Sequence, residues 1–240
     1  VRAFRALAAA LTLLAAPAAA RAQPPVWVVT DADSELVLFG SVHVLPPGLD
    51  WRPAPLTRAL GRADDLWFEL PVDPAAEAET ARLAGARGVL PPGQSLFKML
   101  PAADAARLSR VAAAYGVDPA TLDRLQPWLA EVALGAAAFG KYGAGADHGV
   151  ERAISAAAPT TAARRAFETP AEQIGLFADT PQAEQLAALR ETLKEMEDEP
   201  DAFAVLVRAW MAGDLAQLQR EALDPLKKAA PGFFRRVVTE

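Results

Sequence analysis

The chain contains no cysteine. Disulfides, thiolate metal sites and cysteine nucleophiles are excluded together, so the fold must be held by its core. Histidine is almost as scarce, with only His43 and His148 in 240 residues, and any imidazole chemistry rests on those positions. Positive charge is in deficit: 24 Lys and Arg stand against 30 Asp and Glu. Such a chain matches neither nucleic acid nor an anionic lipid surface. No G-x-S-x-G, H-E-x-x-H or P-loop occurs, which removes the nucleophile elbow, the zincin helix and the phosphate cradle. No apolar run reaches the length of a membrane span.

What is present begins with a leader. Arg2 and Arg5 precede an apolar stretch over residues 6–16, and Ala20-Arg21-Ala22 stands just before Gln23. A basic start, a short apolar core and an A-x-A-type site read as a secretory signal peptide over residues 1–22. The stretch is short for the alternative, a retained anchor. Residues 1–22 carry three arginines and no acid, so their removal moves the net charge from −6 to −9. The expectation is an exported protein, periplasmic or secreted, with residues 23–240 forming one domain.

Val26–Thr30 and residues 36–42 are β-rich and are separated by Asp31-Ala32-Asp33-Ser34, which predicts a hairpin. A short helix over 55–62 and an apolar run over 66–70 complete a strand–helix–strand unit. Its crossover should be right-handed and its strands parallel. The rest is mostly helical. Leu108, Val111, Ala112 and Tyr115 form an apolar face that Gly116 stops. A strand over 165–167 precedes Thr169-Pro170-Ala171-Glu172, which has the capping-box pattern. The predicted class is α/β: a central β-sheet with a βαβ unit near the N-terminus and a large helical portion.

Chemistry concentrates at strand ends, where α/β folds bind ligands. Leu38-Phe39-Gly40-Ser41-Val42-His43 delivers an imidazole beyond an apolar run, and Gly40 permits a turn or a close approach. His43 is a metal ligand or general base on one reading, and a histidine bonded to a loop carbonyl on the other. Glu69, in Leu66-Trp67-Phe68-Glu69-Leu70, is costly to bury unless paired or metal-bound; otherwise it points to solvent. The βαβ unit would bring His43 and Glu69 to one sheet edge. A His/Glu pair suits a divalent ion such as Mn²⁺, Zn²⁺ or Co²⁺. Asp147 fits the N-cap of a helix over 148–157, or a ligand site at that junction. His148 reads more simply as an exposed first-turn residue than as a ligand. Glu168 faces either the cleft of Glu69 or solvent.

These segments occur in a familiar order. The Gly40/His43 motif, the Glu69 strand, Gly145-Ala146-Asp147, Phe167-Glu168-Thr169-Pro170-Ala171-Glu172-Gln173 and Ala209-Trp210-Met211-Ala212-Gly213-Asp214 together resemble the TraB/GumN family, which includes the Tiki ectodomains. The resemblance runs from about Trp27 to the end of the chain. It implies an α/β domain whose site uses two Gly-x-x-His motifs and glutamates, and, from its Tiki members, a metal-dependent protease acting on peptide or protein substrates. Gly40 and His43 match the first motif and Glu69 the strand glutamate; Asp147, Glu168 and Gln173 match recurrent positions without an assigned role. The second Gly-x-x-His, expected near the C-terminal end, is absent, and Arg235-Arg236-Val237-Val238-Thr239-Glu240 offers no closing strand. The domain is therefore expected to be incomplete at its C-terminus. Three functions remain open at this stage: a metal-dependent hydrolase, a non-catalytic module that binds a metal or ligand in the same cleft, and a helix-rich interaction protein.

Overall fold

Asp31 makes the first reversal. Its Oδ1 accepts from the Ser34 N–H at 2.7 Å and from the Ser34 hydroxyl at 2.9 Å, a side-chain mimic of a backbone turn. The flanking segments pair antiparallel as β1 (Val26–Thr30) and β2 (Glu35–Phe39), with Val26 opposite Phe39. The structure is a computed structural model and describes residues 23–239. The signal-peptide reading of residues 1–22 lies outside the described residues.

The hairpin forms as the sequence predicts; the βαβ unit does not. Helix α1 (Ala54–Leu60) and strand β3 (Asp65–Phe68) follow, but β3 runs parallel to β4 (Ala163–Ala166) in a second sheet. In place of one central sheet there are two sheets of two strands each among the described residues. The backbone just past β2 has other partners. The Val42 carbonyl accepts from the Val150 N–H at 3.1 Å, and the Leu45 carbonyl from the Gly145 N–H at 3.3 Å. Leu45 and Gly145 also form an isolated antiparallel bridge. Segment 145–150 thus occupies the backbone beside 42–45, and β3 finds its ladder far downstream.

Helices α2 (Pro74–Gly88), α3 (Leu96–Met99), α4 (Ala102–Ala114), α5 (Pro119–Leu122) and α6 (Pro127–Gly140) intervene before β4. A 3-10 turn (Ala146–His148) leads into α7 (Val150–Ala157). The N-cap of α7 is Gly149, with no side-chain cap, so Asp147 does not take the expected capping position. After β4 come α8 (Pro170–Ala178), α9 (Gln182–Asp198), α10 (Ala202–Ala212), α11 (Leu215–Leu218), α12 (Asp224–Ala229) and α13 (Pro231–Phe234). Thr169 and Glu172 form the predicted capping box at the start of α8. The result is a mixed α/β fold dominated by helices.

Burial falls into two clusters. One is all-helical: Leu108, Leu122, Leu134, Leu189 and Leu193 are fully buried where α9 lies against α4 and α6. The other lies beneath the two sheets and draws on Leu45, Trp51, Leu66, Phe68, Val150 and Trp210. Alternation explains how β3 serves it, because Leu66 and Phe68 are buried while Asp65 and Trp67 face outward. Among the described residues, no helix is long and apolar enough to cross a membrane.

Candidate functional site

His43 stands on the irregular segment after β2, and its position is fixed from below. The Trp210 indole N–H donates to the Gly40 carbonyl at 2.8 Å. On the other side Gly149 presses against His43 itself: a Cβ at Gly149 would lie 2.2 Å from the His43 carbonyl oxygen. Only a residue without a side chain allows the two backbones this close. Gly40 proves less special. It has no positive φ, and a Cβ there would make only ordinary contact with Pro25 at 3.5 Å.

The approach of 145–150 delivers Glu151, the second residue of α7, to the imidazole. His43 Nδ1 and Glu151 Oε1 are 2.9 Å apart. The other ring nitrogen, Nε2, lies 3.5 Å from Glu69 Oε2. Glu69 follows β3 directly, and its second oxygen accepts from the Gln173 amide at 2.7 Å. Gln173 sits in the first turns of α8, the helix started by the capping box. Beyond β4 the ladder continues, with the Glu168 N–H donating to the Glu69 carbonyl at 2.9 Å. His43, Glu69, Glu151 and the Glu168–Gln173 segment thus come from four separate stretches.

Glu151 raises the affinity of His43 for its proton: the hydrogen bond is the largest cause, burial opposes it, and the charges of Glu151 and Glu69 add to it. For Glu151 burial pushes the carboxyl upward, but hydrogen bonds from His43 and Ser41 outweigh it and hold the group below its ordinary value. Glu168 is pushed up by burial and by the nearby charges of Glu69 and Glu172. Its Oε2 is buried without a hydrogen-bond partner. Bonding to Glu151 fixes Nδ1 as the donor in the neutral ring, which leaves the Nε2 lone pair turned toward Glu69. That is the arrangement of an oriented base or ligand, with the carboxylate behind the imidazole setting its tautomer.

His43 and Glu69 therefore lie together, although not on one sheet. Glu168 is beside Glu69. Asp147 is apart: its side chain is 89% exposed and reaches the Arg152 guanidinium at 4.0 Å. Among the described residues, no hydrogen bond or ion pair joins Asp147 or His148 to His43 or Glu69. Glu151 escaped the sequence reading because it sits on a helix face with no local mark, 108 residues from its partner. The only hint was Gly149, two positions before it.

For a divalent ion the donor types fit, being imidazole nitrogen and carboxylate oxygen with no thiolate. Near Glu69, one oxygen of Glu168 is buried without a hydrogen-bond partner. The number falls short: among the described residues, no group of three or more His, Asp or Glu is placed to hold a metal, where a catalytic site commonly uses three.

Residues 25–240, nearly the whole chain, match the TraB/PrgY/gumN family. The chain belongs to that family. No curated protein and no solved structure gives a match. The matched span includes every residue of the candidate site described above, from Gly40 to Trp210.

Proposed function

We propose that this TraB-family chain is an exported, metal-dependent hydrolase acting on peptides, with His43 and Glu69 at its centre. The observation that carries the reading is the His43 imidazole, oriented by Glu151 on one nitrogen and facing Glu69 with the other. A divalent ion would be held by His43 Nε2 and Glu69, with Glu168 close by. Bound there, it would supply a water of lowered pKa. The chain's own contribution is positional. Glu151 keeps Nε2 pointed into the site, and Gln173 holds one Glu69 oxygen so that the other faces Nε2. Glu69 would serve either as a base for such a water or as a ligand of the ion. A neutral amide binds without opposing charge in a negative chain, and a peptide is the substrate class favoured here.

The donor count supports a second reading, a periplasmic module that holds an ion or ligand without turnover. Titration calorimetry with Mn²⁺, Zn²⁺ and Co²⁺ on wild type, His43→Ala and Glu69→Gln is the test, paired with mass-spectrometric detection of peptide cleavage. Loss of His43 is expected to weaken ion binding by more than the roughly 10–100-fold of an outer-shell change. Glu69→Gln should abolish turnover with binding intact if it is the base, and weaken both if it is a ligand. Equal affinity in wild type and folded His43→Ala sinks the hydrolase reading, and binding without cleavage selects the module. For export, N-terminal sequencing of secreted protein should begin at Gln23.

A further inference from the structure

Trp67 and Phe167 lie on the outer face of the second sheet with no structural task that explains them. Their rings are 5.1 Å apart and inclined at 31°. Trp67 is 53% exposed and Phe167 is 74% exposed. Single exposed apolar residues are ordinary, but a pair of large aromatics in ring contact in water needs an explanation. The pair also continues the candidate site. Trp67 is two residues before Glu69 on the same outward side of β3, and Phe167 immediately precedes Glu168. At the far end the Arg165 guanidinium lies 5.7 Å from the Trp67 ring and is held by Asp65 at 2.6 Å. The platform is therefore bounded by an ion pair on one side and by the His43–Glu69 contact on the other.

We propose that Trp67 and Phe167 are the specificity-determining residues of this site, seating an aromatic or large aliphatic side chain of the peptide. The proposal rests on the reading of the site as one that takes peptides, and it adds a register. Two residues of strand advance about 6.7 Å, and an extended peptide advances by the same amount. A peptide laid along β3 with one residue over Glu69 puts the side chain two positions away over Trp67. Neutral polar residues at that position find no partner on the platform. A bulky apolar one removes the exposed faces of both rings from water and gains affinity from the area buried.

The probes are acetylated, amidated hexapeptides of Gly and Ser that carry one Phe, one Leu or one Ala. Calorimetric titration into the wild-type chain should show the Phe and Leu peptides binding roughly tenfold tighter than the Ala peptide. Trp67→Ala and Phe167→Ala should erase that preference, with circular dichroism unchanged, and Trp67→Phe should retain it. Where a peptide is cut, mass spectrometry should place the cut two residues from the Phe or Leu. Selective binding without cleavage supports the aromatic seat while sinking the hydrolase. Cleavage with no Phe or Leu preference, or a preference that survives both alanine variants, overturns the seat and leaves the hydrolase standing. Failure of every peptide to bind also overturns it. So does a concentration-dependent dimer, seen by sedimentation, that Trp67→Ala dissolves, because the platform would then be covered by a second copy. A cut at another spacing overturns the register.

Discussion

His43 holds its proton more firmly than a free imidazole because Glu151 accepts from Nδ1, and Glu151 holds its charge because His43 and Ser41 donate to it. The two shifts have opposite signs. The raised histidine contributes stability that is fully present below its ordinary value of 6.5 and is lost as pH rises through its folded value. The depressed glutamate contributes above its ordinary 4.5 and loses it as pH falls through its folded value. The contact is therefore strongest between those two reference values. In chelator-treated protein, a proton NMR titration of His43 should give a pKa that drops toward 6.5 in Glu151→Gln. An unchanged value would mean that Glu151 does not orient the ring. Glu168 behaves in the opposite sense to Glu151. Its folded value is raised, so its charge destabilises the fold at neutral pH and the penalty vanishes below about 4.5. Glu168→Gln should raise the melting temperature at pH 7.5 and leave it unchanged at pH 4; a loss at pH 7.5 would show that the charge is compensated.

Among elements, the passage from the 3-10 turn into α7 has the most influence on the site. Gly149 has no room for a side chain against the His43 carbonyl, whereas Gly135 in α6 has nothing within 4 Å of a Cβ. Gly149→Ala should cost about 1–3 kcal/mol as an overpacking change. It should also return the His43 titration toward normal, because α7 and Glu151 must move together. Gly135→Ala should stabilise by up to about 1 kcal/mol through the unfolded chain and leave His43 alone. Thermal unfolding and the same NMR titration separate the two; equal behaviour of the variants would mean that the close approach does not position the site. Local signals announced several elements correctly. Asp31 and Ser34 made the hairpin turn, and Thr169 with Glu172 made the capping box that aims Gln173 at Glu69.

Across the whole molecule the helical cluster and the sheet-side cluster divide the work. Leu189 is fully buried among α4, α6 and α9, away from the site, while Phe68 lies under β3 one residue before Glu69. Both truncations should destabilise, Leu189→Ala by about 2–5 kcal/mol and Phe68→Ala by about 3–5 kcal/mol. Only Phe68→Ala should also change the His43 pKa, because it loosens the strand that carries Glu69. Denaturant melts give the first quantity and the NMR titration the second. A shift of His43 in Leu189→Ala would show that the two clusters are coupled.

The sequence by itself determined what depends on neighbours along the chain. Cysteine's absence, the hairpin, the helix start at Thr169-Pro170, and the ordered motifs of the family are all written in short segments. It also named His43 and Glu69. It expected them to meet through a βαβ unit, the pairing nearest in sequence. Only the tertiary structure decided which strands pair and which carboxylates attend His43. β3 pairs with β4 while residues 145–150 lie against the backbone past β2, and no local propensity encodes either pairing. Glu151 is an unremarkable glutamate on a short helix until Gly149 lets α7 lie against the His43 carbonyl. Contacts between residues a hundred positions apart are fixed by how surfaces fit, and that fit exists only once the chain has folded.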